Sequence, residues 1–282
     1  MNKYNQFDIS LLTSQLVLKD GIWYPPAKAK ISYPDLGNMN CLQIEENSFW
    51  FQHRNRCISL LVKRFSKDVI FWDIGGGNGF VAKGLQNEGI EVVLVEPGEK
   101  GANAALKRGV RHVICSTLEQ SSLKPNSLLA AGMFDVIEHI EDDVAFLKMV
   151  HSSMPSGGHV YITVPAYQAL WSHNDEYAGH FRRYTLNSLK KNLQAAGFEP
   201  VYKTYIFSVL IIPILIFRTV AQKLFKSKAQ NVGKIEKDQQ EHTNSSILTK
   251  LMKPFWDLEF WLIKQKISIP FGGSCLIVAK KK

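Results

Sequence analysis

A glycine-rich segment, Asp73-Ile74-Gly75-Gly76-Gly77-Asn78-Gly79-Phe80, has the residue types and the spacing to bind a nucleoside cofactor. It follows the apolar run Val69–Trp72 and precedes a stretch with a helical pattern of apolar residues. Glycines accept the backbone angles of a tight turn and place no side chain between the backbone and a ligand. The segment therefore predicts an enzyme built around a nucleoside cofactor.

The glycine segment alone does not select the cofactor. Gly77, Gly79 and Ala82 satisfy the dinucleotide pattern G-x-G-x-x-A, and Glu96 lies 19 residues beyond Gly77, at the end of the next predicted strand. A carboxylate at that position can accept both hydroxyls of a ribose, as in an NAD site. Asp73, directly ahead of the glycines, gives the longer pattern D-x-G-G-G-x-G. An NAD-dependent oxidoreductase therefore stays open beside other enzymes of nucleoside cofactors.

Two later segments favour one family. The first is Phe134-Asp135-Val136-Ile137-Glu138-His139-Ile140-Glu141-Asp142-Asp143, and the second is the turn and strand Pro155–Pro165. With the Asp73 turn, and in this order, they resemble the signatures of class I methyltransferases that use S-adenosyl-L-methionine (SAM), over residues 43–205. Residues 45–56 and 170–184 resemble the narrower methyltransferase type 11/12 group, which is related to ubiquinone-type methyltransferases. The resemblance implies SAM as cofactor and S-adenosylhomocysteine as product.

The resemblance also implies roles for single residues. Asp73 would meet the methionyl ammonium of SAM, and Glu96 would accept the ribose hydroxyls. Ser116 stands where the family often has an aspartate at the adenine, so the chain departs from the pattern there. A helix cap remains open for Asp73, as does a plain core position for Phe134. The implied cofactor residues are Asp73, Gly75, Gly76, Gly77, Gly79, Glu96, Ser116, Leu118, Phe134, Asp135, Phe51 and Arg54.

Methyl transfer requires little chemistry from the protein itself. The sulfonium of SAM is a good leaving group, so the enzyme mainly aligns the reacting atoms and excludes water. A general base is needed only for an acceptor that must lose a proton, and the tentative candidates are His139, His173 and His180. Arginine binds phosphate or carboxylate in a bidentate manner. The proposed acceptor-binding residues are Trp171, Arg182, Arg183 and Tyr184, although each can equally be structural.

The distribution of charge along the chain indicates which classes of binding partner to expect. The net charge is +9, and residues 201–282 carry fourteen Lys or Arg against five Asp or Glu. Residues 69–200 carry eleven against fourteen, whereas a nucleic-acid enzyme more often has a basic stripe beside its site. The chain also lacks a Pro-Cys dipeptide and an N-P-P-Y-like run, so no nucleic-acid partner is expected. A basic segment beside the apolar stretches Tyr205–Phe217 and Leu251–Ile263 suits an anionic membrane surface, or simply a solubilising one.

The terminus and the cysteines suggest the compartment. No apolar run follows the first residues as in a signal peptide. Cys41, Cys57, Cys115 and Cys275 form no CxxC pair, which indicates reduced thiols and argues against a structural zinc site. We therefore expect a cytoplasmic protein without a metal, with peripheral attachment to the inner face of a membrane as an open alternative.

Strands alternate with helices from residue 69 onwards, which predicts an α/β fold with a parallel sheet covered on both faces. The expected architecture is a Rossmann-like, doubly wound sheet of seven strands, mostly parallel with the last strand antiparallel, and a helical insert between the last two strands. Strands are predicted at Val69–Ile74, Glu91–Val95, Arg111–Cys115, Leu128–Phe134, His159–Val164, Pro200–Phe207 and 273–279. Helices are predicted at 43–65, Gly79–Asn87, Glu99–Lys107, Asp142–Met154, Thr185–Ala196 and Leu251–Ile263.

Four regions follow from these patterns. Residues 1–42 are expected to be irregular, residues 43–207 to form the SAM-binding core, and residues 208–270 to form a helical insert or cap with a polar loop over 226–247. Residues 271–282 would supply the final strand and a basic tail. The predicted function is SAM-dependent methyl transfer to an O, N or C nucleophile of a small-molecule or lipid-linked acceptor. The alternatives are an NAD-dependent oxidoreductase and a non-catalytic SAM-binding module.

Overall fold

The structure is a computed structural model, and it describes residues 9, 12–13, 15–26, 48–209 and 246–282. Residues 226–245 of the predicted loop and residues 210–217 of the apolar stretch Tyr205–Phe217 fall outside these residues, whereas residues 246 and 247 belong to a helix rather than to a loop.

Strands and helices alternate along the described chain, as the sequence predicts. The strands are β1 (Val17–Lys19), β2 (Ile22–Tyr24), β3 (Phe71–Ile74), β4 (Val92–Val95), β5 (His112–Ile114), β6 (Ala130–Phe134), β7 (His159–Pro165), β8 (Phe198–Ile206) and β9 (Ser274–Lys281). The α-helices are α1 (Phe49–Phe65), α2 (Phe80–Asn87), α3 (Glu99–Lys107), α4 (Asp143–Ser153), α5 (His173–Ala178), α6 (Leu186–Ala195) and α7 (Ser246–Lys264), and short 3-10 helices cover Ile137–His139 and Gln168–Leu170.

The nine described strands form one mixed sheet in the order β1-β2-β5-β4-β3-β6-β7-β9-β8. Strands β5, β4, β3, β6 and β7 are parallel neighbours, whereas β9 runs antiparallel to both β7 and β8. The chain order along the sheet reverses between β3 and β6. In open α/β sheets a crevice for ligands forms at such a point, beyond the carboxyl ends of the strands.

Adjacent residues of β3 show how the sheet separates two hydrophobic cores. Successive side chains of a strand point to opposite faces. Phe71 packs with buried residues of α1, α2 and α3, including Leu61 and Leu85. Trp72 packs on the other face, in the core that contains Leu147 of α4. Helices therefore cover both faces of the sheet, which confirms the predicted α/β class.

The prediction of seven strands is wrong in number, because β1 and β2 extend the sheet at its edge. Both lie in the region predicted to be irregular, and β2 pairs in parallel with β5. The hairpin between them has Lys19 opposite Ile22, so Asp20 and Gly21 form a two-residue turn with φ of 51° and 83°. An Asp-Gly turn between two apolar runs is a strong hairpin signal that the analysis of the sequence overlooked.

Helix α7 lies between β8 and β9 in the chain and packs against α1 through a buried polar centre. The Glu259 carboxylate accepts hydrogen bonds from the backbone N–H groups of Phe207 and Ser208, both at 2.8 Å, and from the Ser208 hydroxyl at 2.7 Å. His53 Nε2 of α1 lies 2.7 Å from the same carboxylate. Around this centre Phe49 stacks on Trp256 with ring centres 4.4 Å apart. The position of α1 thus depends on α7.

Within the described residues, no helix is long and apolar enough to cross a membrane.

Replacement of Glu259 by Ala should lower the free energy of unfolding by about 3 kcal/mol, because it leaves several buried donors without an acceptor. Asp257→Ala, two residues away on the same helix, is the matched control. Its ion pair with Arg56 is nearly half exposed, so its loss should cost less than about 1 kcal/mol. Urea unfolding of the two variants measures both values, and equal losses would contradict the role assigned to Glu259.

Candidate functional site

The glycine turn between β3 and α2 is held in a conformation that other residues rarely adopt. Gly75, Gly77 and Gly79 have φ of 69°, 51° and 75°. Space is also restricted, because a Cβ on Gly75 would lie 2.7 Å from Val136 Cγ2, and one on Gly76 2.7 Å from Leu94 Cδ1. The turn therefore requires glycine for both conformation and packing, and its backbone lies at the crevice.

Asp73 is the penultimate residue of β3, directly before this turn, and is only 1% exposed. Its Oδ2 accepts no hydrogen bond from any described residue. Burial raises the pKa of the Asp73 carboxyl to about 7, although Arg54 and the backbone N–H of Ala82 oppose this shift. Buried acceptors in folded proteins normally have a donor. The unpaired oxygen fits the ammonium of a methionyl group, and a helix-cap role does not account for it.

Glu96 connects the end of β4 to the glycine turn. Its Oε2 accepts the backbone N–H of Gly77 at 2.9 Å, and its Oε1 accepts that of Gly98 at 2.7 Å. The side chain is buried at the crevice, where the carboxyl ends of β3 and β4 lie side by side. Glu96 thus positions the turn in addition to the ribose contact expected from the sequence.

An ion pair between Arg54 of α1 and Asp135 spans the other side of the crevice. Thr163 of β7 donates its hydroxyl to the other Asp135 oxygen at 3.1 Å. Asp135 itself has a φ of 57°, so the chain turns sharply directly after β6. The Arg54 guanidinium lies 5.1 Å from the ring centre of Phe51, and that ring contacts Phe80 edge-on at 6.0 Å, next to the glycine turn. Phe51 and Arg54 therefore lie beside the glycine turn and the end of β6.

The remaining cofactor candidates differ in their surroundings. The Phe134 ring stacks on Phe71 with centres 6.3 Å apart, within the hydrophobic core. The Ser116 hydroxyl donates to the carbonyl of Thr117 at 2.8 Å, and Leu118 is buried in the opposite core. Ser116 also lines a cavity of about 510 Å³ whose walls include Ile22, Tyr24, Pro97, Glu99 and Asn103. The edge hairpin that the sequence analysis missed thus forms one wall of this cavity.

Two of the three histidine candidates lie together, beside a buried acid. The rings of His139 and His180 meet edge to face, with centres 4.6 Å apart. Glu138 is fully buried, and both its carboxylate oxygens accept no hydrogen bond from another described residue. Burial, together with the charge of Asp135, raises the pKa of Glu138 well above its usual range. Burial and the neighbouring His180 lower the pKa of His139 to about 4, so this imidazole is neutral at physiological pH.

Asp175 orients this cluster from behind. Its carboxylate lies 2.9 Å from Nδ1 of His180 and accepts hydrogen bonds from Arg183 at 2.7 and 2.9 Å. Ser172 donates its backbone N–H to the same carboxylate at 2.7 Å. Burial alone would raise the pKa of Asp175, but the bonds from His180 and Arg183 hold it well below its usual range. The sequence analysis did not single out Asp175, although the Ser172-x-x-Asp175 spacing is a capping-box signal.

The proposed acceptor-binding residues are engaged within the protein. Arg182 donates to the carbonyl of Glu141 at 2.5 Å, and Tyr184 donates to Asp143 Oδ2 at 2.6 Å while it is almost fully buried. Trp171 Nε1 lies 3.4 Å from Glu176. His173 lies 2.7 Å from the same Glu176 with a side chain that is 97% exposed, so it stands apart from His139 and His180. The acceptor roles of these residues stay predictions.

Comparison with known families identifies the class of protein. The family described as "Methyltransferase domain" matches residues 50–203, which is more than half of the chain. The chain therefore belongs to this family of methyltransferase domains, in agreement with the resemblance of its motifs. The sequence matches no curated protein at a significant level.

Solved structures show the same fold. Phosphoethanolamine N-methyltransferase 2 of Haemonchus contortus, solved with phosphomonomethylethanolamine and S-adenosylhomocysteine, is 19% identical with a TM-score of 0.55. The match covers 92% of this chain but only 61% of that one. A possible histamine N-methyltransferase from Thermotoga maritima is 19% identical over 88% of this chain and 96% of its own, with a TM-score of 0.53. The [4+2]-cyclase SpnF is 16% identical over 88% and 93%, with a TM-score of 0.54.

SAM should bind more tightly as the pH rises towards about 7, because only the ionised Asp73 attracts an ammonium group. Below the raised pKa of the free protein, binding must first release a proton, which weakens affinity by up to about tenfold per pH unit. Titration calorimetry at about pH 6 and pH 7 measures this change. Asp73→Asn should bind more weakly and without pH dependence in this window, whereas the exposed control Asp68→Asn should behave like the wild type. A pH-independent wild type would contradict the assignment.

Proposed function

We propose that the protein binds SAM across the crevice at β3 and β4 and transfers its methyl group to an O, N or C nucleophile of a small-molecule or lipid-linked acceptor. The observation that carries this proposal is the buried, unpaired Oδ2 of Asp73 directly before a turn that only glycine can form. Gly75, Gly76, Gly77 and Gly79 bring the backbone to the ligand. Glu96 lies where the ribose hydroxyls of the cofactor would bind.

The acceptor is proposed to enter beside the Asp135–Arg54 pair. The cluster of His139 and His180 is close to this pair, because the charge of Asp135 acts on both Glu138 and His139. An in-line displacement requires the nucleophile, the methyl carbon and the sulfur to lie on one line, and buried walls hold that alignment and exclude water. A histidine of this cluster would accept the proton of a hydroxyl or amine acceptor.

The relatives support a polar acceptor without naming it. The Haemonchus contortus enzyme acts on phosphoethanolamine and the Thermotoga maritima protein is described as a possible histamine N-methyltransferase, so amines are acceptors of this fold. SpnF is a [4+2]-cyclase, and the fold alone therefore does not require methyl transfer. The conversion of SAM into S-adenosylhomocysteine has to be measured directly.

Helix α7 supports the second part of the proposal, contact with a membrane surface. Phe255, Leu258 and Trp261 recur on one side of the helix and are 49%, 54% and 51% exposed. The opposite side is buried against α1. Lys253 and Lys264 belong to the same helix, and Lys266 follows two residues after its end. Basic residues near an exposed apolar surface favour binding to anionic lipid. A lipid-linked acceptor would then be reached from the membrane surface.

Calorimetry with SAM and with NADH separates the leading function from the oxidoreductase alternative. SAM should bind and NADH should not. Glu96→Ala should weaken SAM binding by about 1–3 kcal/mol, because it removes an acceptor that also holds the glycine turn. Glu88→Ala, whose carboxylate pairs with Lys63 on the exposed surface, is the control and should leave affinity unchanged. Binding of NADH without SAM would overturn the proposal.

Flotation with vesicles that contain an anionic lipid tests the membrane surface. Phe255→Ser combined with Trp261→Ser should lower the partition coefficient by about tenfold or more, because two exposed apolar side chains are lost. Val17→Ser with Leu18→Ser, 62% and 54% exposed at the opposite edge of the sheet, is the matched control. If both double variants float like the wild type, α7 does not bind the membrane.

A further inference from the structure

We propose that Glu138, His139 and His180 form a binding site for a divalent transition-metal ion. Each side chain offers one ligand atom, and the three atoms lie within 4.8 Å of one another. Two imidazoles and one carboxylate form a donor set that Zn²⁺, Fe²⁺, Mn²⁺ and Co²⁺ accept in proteins. The cysteine pattern led us to expect no metal. The proposed site uses no cysteine, and its two histidines, His139 and His180, lie far apart in the sequence.

His180 is oriented as metal-binding histidines usually are. His180 uses Nδ1 towards Asp175, which leaves Nε2 for an ion. Asp175 is itself held by Arg183 and Ser172, so the ring of His180 is fixed in one orientation. Metal-binding histidines commonly donate their second ring nitrogen to a carboxylate or a backbone carbonyl in this way. Asp175 therefore already holds His180 in an orientation in which it can bind a metal ion.

The two chain segments that supply the ligands are tied to each other. Phe181 donates its backbone N–H to the carbonyl of Glu138 at 2.8 Å, so the residue after His180 is hydrogen-bonded to the residue before His139. Tyr184 donates to the carbonyl of Ile137 at 3.3 Å, and Arg182 binds the segment at Glu141. These contacts fix the separation of the ligands before any ion binds, which reduces the entropic cost of binding.

Glu138 supplies the independent observation that points to a cation. Its carboxylate is completely buried, and neither oxygen accepts a hydrogen bond from another described residue. A buried, unpaired carboxylate is unstable unless it binds a cation or a proton. A divalent ion at this point would bind the Glu138 carboxylate and both neighbouring imidazoles.

The site lies next to the acceptor side of the crevice, close to Asp135. Three protein ligands leave coordination positions open, and a divalent ion lowers the pKa of a bound hydroxyl or water. We infer that the ion would bind an acceptor oxygen, which deepens the proposed function and rests on it. Metal binding itself is independent of methyl transfer and can be measured without SAM or acceptor.

The test is titration of the metal-free, full-length protein with Zn²⁺ alone, in competition with a chromogenic chelator, followed by Co²⁺ substitution. We expect one Zn²⁺ per chain and a visible Co²⁺ spectrum that lacks the thiolate band in the near ultraviolet, since Cys57, Cys115 and Cys275 are buried and outside the cluster. Glu138→Gln and His180→Gln should weaken Zn²⁺ binding by about 100-fold or more, beyond the effect of outer-shell changes.

The matched control is His173→Ala, which removes an exposed histidine with its own carboxylate neighbour, Glu176, and should leave the affinity for Zn²⁺ unchanged. Glu138→Gln removes a buried charge without a change of shape and should fold, which circular dichroism checks. Failure of the wild type to bind Zn²⁺ or Co²⁺ more tightly than Glu138→Gln would overturn the metal site. Loss of SAM binding together with retained Zn²⁺ binding would instead overturn the proposed function alone.

Discussion

The ion pair between Arg54 and Asp135 is the interaction on which the crevice depends. It connects α1 to the end of β6, and so it sets the distance between the helix that covers the site and the strands that form its floor. Arg54 also acts on two other buried acids, since it opposes the raised pKa of both Asp73 and Glu138. One guanidinium thus acts electrostatically on three carboxyl groups. The region has a local excess of acids that favours cationic ligands, and the cofactor SAM brings both a sulfonium and an ammonium.

The same reasoning explains why a helix far along the chain matters for the site. Arg54 can reach Asp135 only while α1 keeps its place, and α7 holds α1 through the buried contact of Glu259 with His53. Phe207 and Ser208 donate to that carboxylate as well, so the end of β8 enters the same contact. The helix between the last two strands therefore stabilises the position of α1 and, through it, the Arg54–Asp135 ion pair, while its other face stays exposed. The same helix can therefore hold the site in place while its exposed face is available for the proposed contact with lipid.

The elements that local patterns determine were predictable from the sequence. Strand β3, the glycine turn and α2 follow from an apolar run, glycines and an amphipathic period, and Thr185 caps α6 as predicted, accepting the N–H of Ser188 at 3.1 Å. The hairpin at Asp20-Gly21 carried an equally local signal and was overlooked. The side-chain contacts that form the site could not be predicted in this way. Arg54 with Asp135, His180 with Asp175 and Tyr184 with Asp143 each join residues that single-sequence patterns do not connect, so their partners emerged only from the fold.

The proposed site has two parts, one predictable from local sequence patterns and one not. The cofactor half consists of strand ends and backbone turns, and the sheet itself places Asp73, Gly75 and Glu96 side by side. The acceptor half consists of the segments after β6 and β7, which are irregular, rich in charge and held by Asp175 and Asp143 rather than by the sheet. Because such segments can change without disturbing the core, relatives with the same fold act on different molecules. Under the proposed function, the network around Glu138, His139 and His180 is therefore the part of the site that would select the acceptor.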